Sequence, residues 1–216
     1  DYKKANLLGV IYASETLADS WGILADDKRA KKFLKLAYEK QTINDCGISV
    51  LHDLMCAKKE KKQSYQILLN STKKNIHNVK IERLLGQHLY YGCGCKKDIV
   101  KAIEHFDSAY MSGDDIARVY MACCYAYGIG VKSNMDTARE ILEDTSFENA
   151  YASNVLKGLL IYSGNWGYER NREQGLSLIK EYADNSRYNL YYTVLSSKRG
   201  DYYADLFIEN HLALLH

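Results

Sequence analysis

Six cysteines and six histidines are the residues of this 216-residue chain with most to offer a metal ion or a reacting carbon. Cys93, Cys95, Cys123 and Cys124 cluster in the middle of the sequence. A four-thiolate zinc site wants two Cys-x2-Cys-like pairs on loops. Cys-x-Cys followed by Cys-Cys does not supply that geometry, and buried free cysteine behaves as a small hydrophobe. His52, His77, His88, His105, His211 and His216 show no metal spacing such as His-x3-His. No Ser/His/Asp or Cys/His arrangement follows from spacing either. The sequence therefore nominates no catalytic residue, no metal ligand and no cofactor. Gly92-Cys93-Gly94 and Gly128-Ile129-Gly130 have the look of phosphate loops. A nucleotide fingerprint needs a preceding strand and further glycines, and these turns recur 36 residues apart, which points to structure. Arg199-Gly200-Asp201 reads as a polar turn. Asn70-Ser71-Thr72 fits a glycosylation acceptor, relevant only in a eukaryotic secretory setting.

The elements that must position these residues are set by composition. Hydrophobic residues make up 47% and charged residues 26%, the make-up of a folded chain and not a disordered one. There is no proline, which suits continuous helices joined by glycine turns, because an interior proline costs about 3 kcal/mol. Nineteen Tyr against four Phe hints at half-wet surfaces, since tyrosine joins apolar area to a polar tip. A net charge of +2 lacks the basic excess of a phosphate-binding surface, so nucleic acid is not the expected partner. The run Lys58 to Lys62 reads as a solvated inter-helix turn. No stretch approaches the roughly 18 apolar residues of a membrane span, so no membrane insertion is expected. No signal peptide is visible, although the chain starts at Asp1 and not Met. Cysteines without a repeating pair lean towards a reducing, cytoplasmic compartment; a trimmed leader would make it periplasmic or secreted.

Sliding the sequence against itself reveals its organisation. LLGQHLYYGCGCKKDIVKAIEHF (84–106) aligns with YMACCYAYGIGVKSNMDTAREIL (120–142) at an offset of 36. Gly86 then meets Ala122, Gly92 meets Gly128, Gly94 meets Gly130 and Ala102 meets Ala138. A further step carries Gly128 to Gly164 and Ala122 to Gly158; two steps back, Asp98 meets Asp26 and Ala102 meets Ala30. A fixed period of this size marks a stacked array. Each unit reads as two helices. In the third, Ile81, Leu84, Leu85 and Leu89 predict a first helix over 79–91, and Ala102, Phe106 and Ala109 a second over 97–111. Small residues at Gly86, Ala122 and Gly158 imply close helix packing, since mid-helix glycine otherwise costs about 1 kcal/mol. Six pairs are expected, at 3–39, 44–72, 79–112, 114–146, 149–185 and 187–213, together forming one domain over 1–216. The first carries a longer turn at 14–22, the second lacks the glycine turn and the sixth is short, as capping units are.

The unit resembles the Sel1-like repeat, a relative of the tetratricopeptide repeat. The third unit supplies Leu85-Gly86, Gly92-Cys93-Gly94, Asp98, Lys101-Ala102, His105-Phe106, Ala109 and Gly113. The fourth supplies Ala117, Ala122, Tyr125, Gly128-Ile129-Gly130-Val131 and Ala138. Leu89 replaces the pattern tyrosine, Asn134 replaces the aspartate, and Asn165-Trp166-Gly167 departs from the fifth turn. The resemblance implies an all-α, α/α superhelical solenoid without a shared active site. It further implies a protein partner held on a concave face lined by the first helices, in the manner of an adaptor or of an immunity protein neutralising a secreted toxin or effector. Some members staple each repeat with a cysteine pair; that regularity is missing here. A glycan- or peptidoglycan-binding module is the alternative, because aromatic faces stack on sugars.

By the same analogy the groove residues are Arg83, Gln87, Tyr90 and Tyr91 in the third unit. In the fourth they are Val119, Cys123, Ala126 and Tyr127, and in the fifth Val155, Leu159 and Tyr162, with Tyr188 and Tyr191 extending the strip. An exposed tyrosine lane edged by arginine has interface composition. The same tyrosines could equally pack between repeats with the hydroxyl on a backbone partner.

Overall fold

The computed structural model describes residues 5, 8, 27–57, 59–73, 78–144, 146 and 150–182. The expected turn at 14–22, the pair at 187–213, Tyr188, Tyr191, Arg199-Gly200-Asp201, Lys58, His77, His211 and His216 lie outside those residues. Among the described residues there are nine α-helices and no strand. They are α1 (Asp27–Glu39), α2 (Asp45–Ala57), α3 (Lys61–Lys73), α4 (Val79–Tyr91), α5 (Ile99–Met111), α6 (Asp115–Tyr127), α7 (Met135–Glu143), α8 (Tyr151–Ser163) and α9 (Arg172–Tyr182). The chain divides into two compact units, residues 1–108 and 109–216.

In the first unit, α2 packs against α1, α3 and α4. Its core is Leu34 from α1, Ile48, Leu51 and Met55 from α2, Ile67 and Leu68 from α3, and Ile81, Leu84 and Leu85 from α4. The spacing of 48, 51 and 55 is the stripe that a 3.6-residue period presents to one side. Each fully buried aliphatic side chain contributes about 1.5–3 kcal/mol. Where the other hairpins use glycine, the α2–α3 turn places Lys59 in the left-handed region at φ 63°, a conformation costing about 1–2 kcal/mol with a side chain.

In the second unit, α6 packs on α7 and α8, and α8 on α9. Ala122, Cys123, Ala126, Ala138, Leu142, Leu160 and Trp166 form its core. Helices α4, α6 and α8 end alike, on Gly92, Gly128 and Gly164 at φ 68°, 68° and 75°. Each glycine N–H returns to the carbonyl four residues back, satisfying a group the helix leaves open.

The turn is then closed by one recurring residue. Asp98 N–H donates to the Leu89 carbonyl at 3.0 Å, and Asn134 N–H to that of Tyr125 at 2.8 Å. Their side chains accept from Lys101 N and Thr137 N, each at 3.2 Å, and so cap the second helix. Asn134 thus does the work of the pattern aspartate. In the α8–α9 pair the equivalent residue is Asn171, bonded to the Ile161 carbonyl at 2.9 Å and to Gln174 N at 3.0 Å. Asn171 lies 37 residues after Asn134, not 36. The Asn165-Trp166-Gly167 turn holds the extra residue, with Trp166 left-handed at φ 54°.

That insertion corrects the register beyond it. Gly175, not Gln174, is the counterpart of Ala102 and Ala138. A Cβ on Gly175 would sit 2.6 Å from the Gly158 carbonyl oxygen, and one on Gly86 would sit 2.6 Å from the Phe106 ring. Small residues at these crossings admit the neighbouring helix.

Candidate functional site

The residues nominated for a groove divide by burial. On α4, Tyr90 is 2% exposed and Arg83 buried, Gln87 is half-buried, and Tyr91 is 46% exposed. The Tyr90 ring packs against Phe106 with centroids 6.0 Å apart and against Tyr91 at 5.0 Å. On α6, Cys123 and Ala126 are buried, while Val119 and Tyr127 are half-buried. On α8, Val155, Leu159 and Tyr162 are all buried. The side chains with area open to a guest are Gln87 and Tyr91 in the first unit and Val119 and Tyr127 in the second. Tyr127 is held from below, since Trp166 Nε1 donates to its hydroxyl at 3.0 Å. Burial raises the Tyr127 pKa, so the hydroxyl stays protonated at neutral pH.

The first unit has a buried polar contact that spacing did not single out. His52 of α2 and His88 of α4 approach through their Nε2 atoms at 3.0 Å, and both rings are buried. His88 Nδ1 faces the Cys93 carbonyl and must donate to it. A neutral His88 ring then leaves Nε2 as an acceptor for the N–H of His52. Burial is the main cause that lowers the His88 pKa, with His52 and Lys61 adding to it and the Cys93 bond opposing. The two histidines do not share a position in successive repeats: Met55 O accepts from Glu60 N as Leu89 O accepts from Asp98 N, so His52 falls level with Gly86. Sequence spacing therefore does not mark the contact.

The second unit uses permanent charge at its repeat junction. Asp115 on α6 accepts from Ala152 N at 2.6 Å, Ser153 N at 3.1 Å and the Ser153 hydroxyl. Those are the second and third residues of α8, whose own preceding residue, Ala150, makes no side-chain cap. Asp115 therefore caps a helix of the next repeat. One turn on, Arg118 is 2% exposed and sends Nε to the Ile141 carbonyl at 2.8 Å and a second nitrogen to that of Leu142. Its guanidinium takes up carbonyls that the end of α7 leaves open. In the third repeat the equivalent pair is Glu82 and His105, bonded at 2.7 Å.

The cysteines are placed as packing residues. Cys123 and Cys124 are buried free thiols, and burial raises both, Cys124 to about 12. Such thiols stay protonated and unreactive. Cys93 and Cys95 are half-buried and free, and the Cys95 thiol donates to the His88 carbonyl at 3.3 Å. Among the described residues no three His, Cys, Asp or Glu side chains gather as a metal would need. No described helix is long and apolar enough to cross a membrane.

The Sel1 repeat family matches residues 5–41, 82–114 and 116–143. The chain carries Sel1 repeats over these segments. Among solved structures, the Sel1 repeat protein from Oxalobacter formigenes superposes with a TM-score of 0.70 at 19% identity, over 86% of this chain and 72% of that one. A Sel1 repeat protein from Klebsiella pneumoniae subsp. pneumoniae reaches 0.51 at 18% identity, over 91% and 98%. No curated protein matches the sequence. The fold class is thus the all-α solenoid of Sel1-like, tetratricopeptide-like repeats. Sel1 repeats generally serve as scaffolds for protein–protein contact and not as catalysts. The open residues of α4 and α6 offer contact surface.

Proposed function

We propose that this chain is a non-catalytic scaffold that holds a partner polypeptide on the open edges of its first helices. Gln87 and Tyr91 form that edge in the first unit, and Val119 and Tyr127 in the second. The observation that carries the reading is Tyr91, a large ring 46% exposed on a helix whose other aromatic, Tyr90, is fully packed. Exposed tyrosine offers wide contact area at low entropy cost, the usual anchor of a protein interface. The role fits an adaptor or an immunity protein that neutralises a secreted toxin. The glycan reading draws less support, because Tyr90, Tyr162 and Trp166 are buried and present no open face to a sugar.

The test is affinity capture from the source cell with mass spectrometry, comparing the native chain with Tyr91→Ala/Tyr127→Ala. A specific partner held by the native chain and by an exposed control, Glu104→Ala, should be lost from the double variant while helicity is kept. Capture unaffected by the double variant would remove these helix edges from the binding surface. A captured enzyme whose activity is blocked at one-to-one stoichiometry supports the immunity role; a partner that stays active supports the adaptor role.

A further inference from the structure

We infer that the first unit carries a second contact surface, specific for an acidic polypeptide segment, where the start of α3 meets the turn after α4. The inference rests on the scaffold reading and names a chemistry for its partner. The meeting is made by Gly94. A Cβ there would lie 2.3 Å from the Lys61 carbonyl oxygen and 2.7 Å from Lys62 N, so the two backbones touch. The contact brings Lys59, Lys61 and Lys62 beside Lys96 and Lys97, and all five are exposed. Sequence alone reads the first three as a solvated turn; the fold doubles the cluster.

The neighbouring carboxylates are already engaged. Glu60 pairs with Lys31 and with Lys35 at 3.7 Å, and Asp98 pairs with Lys101 at 3.7 Å while capping α5. Among the described residues none of the five lysines lies in an ion pair. The first, positive turn of the 13-residue α3 adds to the same field. Lys97 also sits over the Tyr90 ring at 5.9 Å, one residue from the exposed Tyr91, so the charge borders an aromatic anchor. Five like charges held together repel one another, and an anionic guest relieves that repulsion and is steered towards it.

Charge distribution selects the class of guest. Residues 1–108 hold 19 Lys and Arg against 13 Asp and Glu, a net +6, and residues 109–216 hold 10 against 14, a net −4. Tight nucleic-acid binding draws on about 6–10 phosphate contacts and a basic excess over the whole domain. A chain of +2 with an acidic half lacks that excess. A short run of Asp and Glu needs only the local cluster.

The test measures anisotropy of a fluorescein-labelled dodecapeptide of alternating Glu and Asp, bound to the full chain at low salt. Lys61→Glu/Lys62→Glu/Lys96→Glu/Lys97→Glu should weaken binding by about tenfold or more. A control of identical net charge, Lys28→Glu/Lys32→Glu/Lys80→Glu/Lys132→Glu, should stay within about twofold of the native chain. Should the reversal impair folding, the four-alanine version at the same positions gives an intermediate loss. Equal weakening by both sets, or no peptide binding at low salt, would overturn the proposal. So would a DNA duplex that binds tighter than the peptide. If native-partner capture depends on Tyr91 and Tyr127 but ignores the lysine reversal, the acidic-guest inference fails and the scaffold reading stands.

Discussion

The two units solve one problem differently. Both must seat a repeat on its neighbour through a junction that is mostly apolar, and both place a polar contact inside it. The first unit uses His52 against His88, two titratable rings with no fixed charge. The second uses Asp115 and Arg118, which tie the start of α8 and the end of α7 through carboxylate and guanidinium. The difference teaches that the repeat dictates helix placement and glycine caps, while its polar junction positions are free to carry quite different chemistry. The first unit's junction should respond to pH; the second's should not.

The largest effect should follow from cutting the charged junction. Asp115→Ala removes three acceptor contacts at the start of α8 and the carboxylate 3.8 Å from the buried Arg118. Removing one member of a buried charged pair costs about 3–5 kcal/mol. Urea denaturation should report that loss, and hydrogen exchange should speed up at the amides of Ala152 and Ser153. Asp115→Asn, which keeps one acceptor, should cost less. A neutral Asp115→Ala would mean that the helix start is satisfied without its neighbour, and the contrast between units would collapse.

A middle-sized effect tests what the units share. Across the α4–α5 hairpin Gly86 faces Phe106, whereas the equivalent residues of the second unit are Ala122 and Leu142. Each smaller residue is matched by a larger partner. Gly86→Ala should therefore overpack against the ring and cost about 1–3 kcal/mol. Adding Phe106→Leu should recover most of it, giving the first unit the second's pairing. The measurement is the coupling energy of the double-mutant cycle. Purely additive losses would show that the two pairs are not interchangeable.

Much of this was legible in the sequence. The boundaries of α4 coincide with the apolar spacing of Ile81, Leu84, Leu85 and Leu89, because an amphipathic stripe and a glycine cap are both local signals. The small residue at 86 is explained by Phe106, as its cost in a helix implies. The register beyond Trp166 was not legible: a single inserted residue leaves helix periodicity intact, and only the Asn171–Ile161 bond reveals it. Which residues of the proposed strip are open was not legible. An analogy of helix faces selects a strip but cannot say which rings lie under a neighbour, and Tyr90 and Tyr162 lie there. The lysine cluster depended on a backbone contact between residues 33 apart in sequence, Gly94 and Lys61, which composition does not encode.

The smallest effect at neutral pH is also the one most confined to a single unit. His88 has its pKa lowered from 6.5, chiefly by burial, so the folded first unit favours the neutral ring while the unfolded chain takes up a proton near 6.5. Above that value neither state binds the proton and the histidine makes no pH-dependent contribution. As the pH falls below it, the unfolded state gains protons that the folded state refuses, and stability declines. Of the groups facing the ring, the Cys93 carbonyl favours a positive charge, while His52 and Lys61 oppose it and add to burial; Tyr65 lies 5.6 Å away as a neutral phenol, and Cys95 donates to the His88 carbonyl as a thiol. Arg118 keeps its charge throughout this range, so the second unit lacks the response. Hydrogen exchange compared at about pH 7 and about pH 5, after correction for intrinsic rates, should show protection falling in α2 and α4 but not in α6 and α8. His88→Asn keeps a donor for the Cys93 carbonyl and cannot take a proton, so it should flatten the dependence in the first unit. Equal acid sensitivity in both units, or a slope unchanged by His88→Asn, would show that the histidine pair is not what separates them.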